Sequence, residues 1–323
     1  MFGLRLLVAG GAGFIGSNFV RLVAAETDWE VLVLDALTYA GRPENLEGVL
    51  DGRCRLVVGD ICDRELVEDV FGSFRPDAVV NLAAESHVDR SIWDGAPFLR
   101  TNVLGVGVLL EASRRAEVRA FLQVSTDEVY GSLPLEGQEE FTEQCPLRPS
   151  SPYSASKAAA DLLCRAYWVT HGVPVVVTRC CNNFGPYQYP EKLVPVAVCC
   201  ALEGRPVPVY GDGRNVREWI YVEDHCRALL AALVRGKPGE VYNIGTGVRL
   251  PNLEMVGRVL RLLGMPEDFV EFVADRPGHD ARYAVSAEKA ARELGWRPWF
   301  GFDEALALTV RWYVENREWW ELR

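Results

Sequence analysis

The feature that most constrains this chain is a glycine-rich loop between an apolar run and a helical pattern. The apolar run is Leu4–Ala9, and Gly10, Gly13 and Gly16 follow it at intervals of three, overlapping the helical pattern of Phe14–Ala25. Glycine permits a tight turn, the close approach of a pyrophosphate and the close packing of a helix on a strand. The helix N-terminus offers free N–H groups and a positive dipole end to phosphates. The loop therefore predicts a dinucleotide site.

A carboxylate at the end of the second apolar run refines this prediction. Asp35 follows Leu34, nineteen residues after Gly16. A carboxylate at this place accepts a hydrogen bond from a ribose hydroxyl and repels a 2′-phosphate. Three glycines also occur in purely structural turns, but this context favours a bound cofactor, and NAD over NADP.

Short apolar runs alternate with helical patterns through the first half of the chain. The runs are Leu4–Ala9, Val31–Leu34, Arg55–Val58, Ala78–Leu82, Phe121–Ser125 and Val173–Thr178. The helical patterns are Phe14–Ala25, Arg64–Phe71, Pro97–Ala116 and Pro152–His171. The runs lack polar alternation, which is typical of strands buried on both faces. The alternation predicts an α/β fold with a Rossmann-type, doubly wound parallel sheet.

After about Asn182 the pattern loosens, because prolines interrupt it and only short runs such as Val207–Tyr210 and Trp219–Val222 follow. We interpret this change as a smaller C-terminal lobe that binds a substrate. The prediction is an NAD-binding Rossmann domain over residues 1–181, to which later segments return, and a mainly substrate-binding domain over residues 182–323.

Composition argues against several other classes. The net charge of −11 disfavours a nucleic-acid partner, which normally needs a basic patch. Leu4–Ala9 is too short to span a bilayer, and no signal-peptide cleavage pattern follows it. The nine cysteines lack the two-pair spacing of a zinc site and lie mostly in apolar runs. We therefore expect reduced thiols, no metal, no membrane association and a cytoplasmic location.

Tyr153 and Lys157 lie four residues apart on the predicted helix Pro152–His171, and so share one face. Ser151 and Gly172 suit the two ends of that helix. A phenol titrates near ~10 in water, so a base at neutral pH needs a lowered pKa. The Lys157 ammonium and a nicotinamide cation are predicted to lower it. Such pairs are usually surface residues, but the preceding dinucleotide pattern favours a catalytic base.

Thr126, Asp127 and Glu128 follow the strand predicted at Phe121–Ser125. Open α/β sheets bind ligands at the carboxyl ends of their strands. Two adjacent carboxylates in an extended segment point in different directions and can address different atoms. The alternative is a pair of solvated loop acids; the site context favours an acid and a base that act on neighbouring carbons.

These motifs resemble those of the extended short-chain dehydrogenase/reductases, and among them the dTDP-glucose 4,6-dehydratases. The matching segments are Gly10–Gly16, Leu37–Gly41, Gly59–Ile61, Leu82–Ser91, Ser125–Gly131, Ser151–Lys157, Asn182–Asn183, Pro190–Leu193, Arg217–Trp219, Tyr242–Gly245 and Asp275–Asp280. The glycine loop and the Tyr-x-x-x-Lys pair are shared by the whole superfamily. The Thr-Asp-Glu triplet and the Asp-Arg-Pro-Gly-His run are more specific to the dehydratases.

The resemblance implies dehydration of dTDP-glucose to dTDP-4-keto-6-deoxyglucose on a retained NAD. Tyr153 would remove the C4 hydroxyl proton while hydride passes to NAD, and Thr126 would polarise the C4 oxygen. Glu128 would then take the C5 proton and Asp127 would protonate the departing C6 hydroxyl, before hydride returns to C6. Lys157 would hold the nicotinamide ribose. The C4 ketone makes the C5 proton acidic, so the redox step enables the elimination.

By the same resemblance, two sets of residues are expected to bind ligands, and two chains are expected to associate. The cofactor residues would be Gly10, Gly13, Phe14, Ile15, Gly16, Asp35, Ala36, Leu37, Thr38, Asp60, Ile61, Leu82, Ala83, Ala84, Ser86, Thr101, Tyr153, Lys157 and Asn183. The nucleotide-sugar residues would be Ser86, Thr126, Asn182, Lys192, Leu193, Pro208, Val209, Tyr210, Arg217, Asn252, Asp275, Arg276, Pro277, Gly278 and His279. A homodimer would form through the helices predicted at Pro97–Ala116 and Pro152–His171.

Three alternatives stay open at this point. The substrate is a UDP-, GDP- or CDP-hexose instead of a dTDP-hexose, or the enzyme is a nucleotide-sugar 4-epimerase or decarboxylase. Neither an epimerase nor a decarboxylase needs the acid–base pair after Thr126. A non-catalytic NAD-sensing protein on the same fold would be expected to lose Tyr153 or Lys157, and both are present.

Overall fold

The computed structural model describes residues 3–321, in which strands and helices alternate. The strands are β1 (Arg5–Ala9), β2 (Glu30–Asp35), β3 (Cys54–Val58), β4 (Ala78–Asn81), β5 (Ala120–Thr126), β6 (Val175–Cys180), β7 (Asn182–Phe184), β8 (Val207–Tyr210), β9 (Val216–Tyr221), β10 (Val241–Ile244), β11 (Arg249–Pro251) and β12 (Val270–Val273). The helices are α1 (Phe14–Glu26), α2 (Arg64–Phe74), α3 (Val88–Trp93), α4 (Ala96–Leu99), α5 (Val106–Arg115), α6 (Pro152–His171), α7 (Leu193–Leu202), α8 (Val222–Arg235), α9 (Asn252–Leu262), α10 (Phe302–Glu315) and α11 (Arg317–Glu321). None of these helices is both long and apolar enough to cross a membrane.

Seven strands form one sheet in the order β10-β6-β5-β4-β1-β2-β3, and every neighbouring pair is parallel. The chain moves outward from β1 to β2 and β3 on one side, and from β4 to β6 on the other. Its direction across the sheet therefore reverses between β1 and β4. Open α/β sheets bind ligands at such a switch point, beyond the carboxyl ends of the strands. The predicted doubly wound Rossmann-type fold is confirmed.

Both faces of this sheet are buried, which explains the unbroken apolar runs of its strands. Leu6 and Val8 pack with α1 and α8 on one face, whereas Leu7 and Ala9 pack with α2, α5 and α6 on the other. Successive side chains of a strand point to opposite faces, so a strand covered by helices on both sides needs apolar residues at every position.

The seventh strand comes from the second half of the chain. β10 pairs with β6, with Val241 opposite Val177 and Ile244 opposite Cys180. The other strands of the second half form two small sheets, β11-β9-β7 and β12-β8. The domain boundary after residue 181 therefore stays a prediction.

Several predicted elements differ from the structure in their bounds, and two of these differences have a local reason. The helix predicted at Pro97–Ala116 is divided into α4, a π-helical segment at Arg100–Gly105, and α5. A short π segment changes the helical repeat too little to disturb the apolar pattern, so the sequence does not reveal it. The strand predicted from Val173 begins at Val175 instead, because Gly172 turns the chain with a φ of 71° and Pro174 follows.

Candidate active site

A cavity of about 1020 Å³ lies at the carboxyl ends of β1, β4, β5 and β6. Its walls include Gly10 after β1, Leu82 after β4, Thr126 at the end of β5 and Cys181 after β6. Sites for small molecules are usually about 300–1,000 Å³, so this volume is at the upper end of that range and suits a large ligand such as a dinucleotide.

Most of the predicted site residues lie in this cavity wall. All five predicted catalytic residues do, and so do all of the predicted cofactor residues except Leu37. Of the predicted substrate residues, the cavity wall contains Ser86, Thr126, Asn182, Lys192, Leu193, Pro208, Tyr210, Arg217, Asn252, Arg276 and His279. It does not contain Val209, Asp275, Pro277 or Gly278.

The predicted residues outside the wall have local reasons for their placement. Val209 is buried between Pro208 and Tyr210 on β8, because alternate residues of a strand face opposite sides. Leu37 packs its side chain against the core. Pro277 and Gly278 form the turn between Arg276 and His279. Asp275 lies behind this turn, where its Oδ1 is 2.6 Å from the His279 Nδ1.

The glycines of this loop serve two different purposes, packing within the protein and space for a ligand. A Cβ on Gly10 would lie 2.4 Å from the Ala83 nitrogen, and a Cβ on Gly16 would lie 2.1 Å from the Gly10 carbonyl oxygen. Packing within the protein therefore requires both glycines. A Cβ on Gly13 would meet no atom nearer than 3.5 Å. Helix α1 begins after Gly13 without a side-chain cap or an acidic residue in its first turn, so its N-terminus fits a pyrophosphate.

Asp35 is held between two loops at the end of β2. Its Oδ2 accepts a hydrogen bond from the Ala12 N–H at 2.8 Å, and its Oδ1 accepts one from the Leu37 N–H at 2.9 Å. Burial raises the pKa of Asp35, whereas these two N–H groups lower it. Each carboxylate oxygen keeps a second lone pair, so the group can still accept from a ribose hydroxyl. The residues present therefore fit NAD.

Helix α6 presents Tyr153 and Lys157 to the cavity from its first two turns. Its start is fixed by a capping box between Ser151 and Ser154, and the Tyr153 N–H donates to the Ser91 Oγ at 3.1 Å. The Lys157 Nζ donates to the Val124 carbonyl oxygen on β5 at 2.7 Å. These contacts hold the helix against the strand that ends in the predicted acid–base pair.

Asp127 and Glu128 lie in a helical turn, Asp127–Tyr130, which we call the acid–base turn, so the expectation of an extended segment at these residues is wrong. The Thr126 Oγ1 accepts a hydrogen bond from the Glu128 N–H at 3.2 Å and donates one to the Asp127 Oδ1 at 3.3 Å. The Asp127 side chain is buried, and its Oδ2 has no hydrogen-bond partner. Glu128 is half-buried.

The two carboxylates have different electrostatic surroundings. Burial raises the pKa of Asp127 well above its usual value, and the neighbouring Glu128 and Glu218 raise it further. Burial also raises the pKa of Glu128, but Lys192 and Arg276 act in the opposite direction. Asp127 is therefore suited to donate a proton and Glu128 to accept one, since different surroundings separate the roles of paired carboxyl groups.

The protein alone does not lower the pKa of Tyr153, and the predicted effect of the nicotinamide cation stays a prediction. Burial raises the pKa of Tyr153 well above its usual value, and Glu128, Cys180 and Asp127 add to this effect, whereas a hydrogen bond with the Thr126 side chain opposes it. The expectation counted the nearby ammonium and neglected desolvation, which disfavours the charged form. The protein by itself therefore keeps the phenol protonated.

Sequence reasoning missed three contacts that join the large sheet's side of the cavity to the second lobe. The Tyr39 hydroxyl donates to the Glu191 Oε1 at 3.1 Å. Asp89 accepts a hydrogen bond from the Tyr210 hydroxyl at 2.8 Å and pairs with the Arg276 Nη1 at 3.3 Å. Glu191 and Asp89 both lie in segments that carried the family resemblance, but nothing in the sequence indicates their partners.

Comparisons with known proteins identify the family of this chain. The family model described as GDP-mannose 4,6 dehydratase matches residues 7–309. The dTDP-glucose 4,6-dehydratase of Streptomyces niveus is 51% identical over 98% of this chain and 95% of its own length. The low-salt glycan biosynthesis protein Agl12 of Haloferax volcanii is 54% identical over 98% of this chain and 100% of its own length.

A solved structure is similar along the whole chain as well. It is that of DesIV, a dTDP-glucose 4,6-dehydratase from Streptomyces venezuelae, with NAD and TYD bound. It superposes with a TM-score of 0.95 at 52% identity, and the match covers 99% of both chains. This chain therefore belongs to the GDP-mannose 4,6 dehydratase family, in the group of the dTDP-glucose 4,6-dehydratases.

Proposed function

We propose that this protein is an NAD-dependent hydro-lyase that converts dTDP-glucose into dTDP-4-keto-6-deoxyglucose. The observation that carries the proposal is the placement of Asp127 and Glu128 in the same cavity wall as Tyr153 and Lys157. A dehydration needs a proton donor and a proton acceptor besides the groups that serve oxidation. The activities named for DesIV and for the Streptomyces niveus relative support the same substrate.

NAD would lie along the glycine loop, with its pyrophosphate at the N-terminus of α1 and its adenosine ribose at Asp35. When bound, it supplies hydride acceptance from C4 and hydride return to C6. Gly13 leaves space for the pyrophosphate, since no protein atom lies nearer than 3.5 Å to its missing Cβ. The absence of an acidic side chain in the first turn of α1 avoids repulsion of that anion.

Tyr153 and Thr126 would act on the C4 hydroxyl of the sugar. Both side chains lie in the same cavity wall, and the Thr126 side chain acts to lower the pKa of Tyr153. Tyr153 accepts the C4 proton, and Thr126 orients the C4 oxygen. Because the protein alone raises the pKa of Tyr153, its deprotonation depends on the positive charge of the bound nicotinamide.

Asp127 and Glu128 would carry out the elimination. Once C4 is a ketone, the C5 proton is acidic enough for Glu128 to remove it. Asp127 protonates the C6 hydroxyl, which then departs as water and leaves a double bond between C5 and C6. When hydride is added at C6, the proton held by Glu128 would return to C5 and complete the 4-keto-6-deoxy sugar. The buried Asp127 holds its proton, whereas Lys192 and Arg276 favour the ionised form of Glu128.

Basic side chains from the second lobe would bind the diphosphate. Arg217 is buried, and its Nη1 and Nη2 donate to the carbonyl oxygens of Val216 and Asp280, both at 2.9 Å. Its guanidinium lies 4.3 Å from the Tyr283 ring centroid. A guanidinium fixed in this way loses little conformational entropy when its remaining N–H groups contact a phosphate.

We also propose a homodimer and a cytoplasmic location. Leu99, Leu104, Leu162 and Val169 are exposed on α4, the following π segment and α6, the helices expected to form a dimer interface. Leu162 and Val169 are seven residues apart on α6, so they lie on one face. Exposed apolar patches of this kind indicate a protein interface. The nine cysteines are all free thiols, which supports a reducing compartment.

The test is incubation of the purified protein with dTDP-glucose, followed by the alkali-induced ultraviolet absorbance of a 4-keto-6-deoxy sugar. We expect this absorbance with dTDP-glucose, and less with UDP-, GDP- or CDP-glucose. A stronger signal with another nucleotide sugar would mean that the substrate carries a nucleobase other than thymine. A 4-epimer as product would identify the enzyme as an epimerase instead of a dehydratase. Absence of product from all four nucleotide sugars would contradict an enzymatic role.

The variant Glu128→Gln tests the elimination step. We expect its product formation to fall about 10²–10⁴-fold, because it removes the base, while reduced nicotinamide still forms in part. Glu136→Gln, on an exposed side chain eight residues further along the chain, is the matched control. Turnover of Glu128→Gln equal to that control would favour an epimerase.

A further inference from the structure

Beneath the cavity lies a buried row of polar side chains that the proposed mechanism does not use. We infer that Asp161, Arg179, Tyr130 and Asn243, which we call the positioning row, hold α6 in register with the acid–base turn and so align the groups of oxidation with those of elimination. This inference rests on the proposed function, because it concerns two sets of groups that act in one reaction.

The positioning row is continuous. The Arg179 Nε donates to the Asp161 Oδ2 at 2.8 Å, and the Arg179 Nη1 donates to the Tyr130 hydroxyl at 2.9 Å. The Tyr130 hydroxyl in turn donates to the Asn243 Oδ1 at 2.8 Å. None of the four residues is more than 5% exposed. Each link is therefore a directional bond in a water-excluded environment, where such bonds are strong.

Its members come from the elements that carry the chemistry. Asp161 is one turn after Lys157 on α6, and Tyr130 is the last residue of the acid–base turn. Arg179 lies on β6 between the two, opposite Ser125 of β5 and Asn243 of β10. A shift of α6 relative to the acid–base turn would therefore lengthen a bond to Arg179.

Stability alone is a poor reason for this arrangement. A buried ion pair loses much of its Coulomb energy to desolvation, and apolar replacements are often at least as stable. The apolar contacts between α6 and the acid–base turn, such as those of Ala158 with Val129, do not fix a rotation or a slide. Directional bonds do, and a displacement of about 1 Å at a reacting centre can lower a rate about 10²-fold.

The negative charge of Asp161 also acts on the Lys157 ammonium. The titratable groups around the Lys157 ammonium are Asp161 and Cys164 on α6 and Cys180 on β6, and Arg179 on β6 pairs with Asp161. Burial lowers the pKa of Lys157, and Asp161 opposes this effect. Removal of the Asp161 charge should therefore let Lys157 lose its proton at a lower pH.

The deciding variant is Tyr130→Phe, which removes one hydroxyl and keeps the ring that stacks on Phe141 at 5.0 Å. We expect single-turnover measurements with dTDP-glucose to show reduced nicotinamide that forms at nearly the normal rate but decays about 10- to 100-fold more slowly. The reason is that the elimination groups lose alignment while Tyr153 and Lys157 stay on their helix. Wild-type formation and decay in this variant would overturn the inference.

Asp161→Asn gives a second readout, which packing alone would not change. The alkaline limb of kcat/KM should move to lower pH, since Lys157 loses its anionic neighbour. An unchanged limb in a folded variant would contradict the role of Asp161. If this variant does not fold, Tyr130→Phe still decides the matter.

The matched control is Asp224→Asn, because Asp224 is an equally buried carboxylate that bonds to the Trp299 and Phe300 N–H groups outside the cavity wall. It should lower the thermal midpoint without slowing the decay of reduced nicotinamide. If it slows that decay as much as Tyr130→Phe does, the effect is general destabilisation and the inference fails. If the wild-type protein forms no 4-keto product, the proposed function fails instead.

Discussion

Alanine substitutions at two glycines of the same loop should have opposite consequences. In Gly13→Ala the new methyl group meets no protein atom nearer than 3.5 Å, and the backbone of Gly13, with φ −77° and ψ −178°, suits alanine. In Gly16→Ala the methyl group would lie 2.1 Å from the Gly10 carbonyl oxygen and 2.7 Å from the Gly11 Cα. The first change therefore affects the ligand and the second affects the protein.

The expected magnitudes follow from these distances. Gly13→Ala should leave the free energy of unfolding unchanged or raise it by about 0.4–1 kcal/mol, because alanine restricts the unfolded chain. Its methyl group should remove at least one hydrogen bond to the pyrophosphate, worth about 1.5–3 kcal/mol for a charged acceptor. That loss weakens NAD binding about 10- to 150-fold. Gly16→Ala should cost about 1–3 kcal/mol or more by overpacking.

The assay pairs calorimetric titration of NAD into cofactor-free protein with thermal unfolding of the same samples. Gly72→Ala is the control, because Gly72 lies on α2 with no atom within 4 Å of its missing Cβ. The control should bind NAD as the wild-type protein does. Wild-type NAD affinity in a folded Gly13→Ala protein would refute the argument that this glycine makes room for the pyrophosphate.

Three further predictions concern stability and assembly. Because folding raises the pKa of Asp127, the stabilising contribution of this residue is complete below the unfolded pKa of ~3.9. It declines by about 1.4 kcal/mol per pH unit as the pH rises towards the folded pKa. Denaturant titrations at several pH values should show that the wild-type protein loses stability relative to Asp127→Asn over this range, and a constant difference would contradict the shift. Glu218→Gln should cost about 1–3 kcal/mol in the same assay, because the buried carboxylate accepts from four N–H groups and an amide cannot; an unchanged midpoint would show that water replaces those bonds. Leu162→Glu should yield monomers in light scattering, with Glu136→Gln as the unaffected control, and a persistent dimer would place the interface elsewhere.

The sequence predicts secondary structure best where the apolar pattern agrees with the residues that begin or end an element. Helix α6 begins and ends at the predicted residues, because Ser151 caps one end and Gly172 takes a left-handed conformation at the other. The strands of the first half were recognisable because both of their faces are covered. The rule that ligands lie at the carboxyl ends of parallel strands was enough to bring Thr126 and the acid–base pair into one cavity wall with Tyr153.

What the sequence does not predict depends on contacts between distant residues. Val209 was taken together with its neighbours as one segment, although strand alternation turns it inward. The pKa of Tyr153 depends on how deeply the fold buries the phenol, which no motif indicates. Asp161 and Arg179 lie on the consecutive elements α6 and β6, and their contact depends on how α6 packs on β6, which no motif indicates.

The late position of β10 has a consequence for biosynthesis. While the nascent chain leaves the ribosome, β6 is complete but still lacks its outer neighbour, and its row of N–H and C=O groups is open to pairing with another molecule. A fragment that ends at residue 181 would keep this open edge permanently, so it should aggregate where the full chain does not. The large sheet therefore reaches its final form only after the chain has been translated through Ile244.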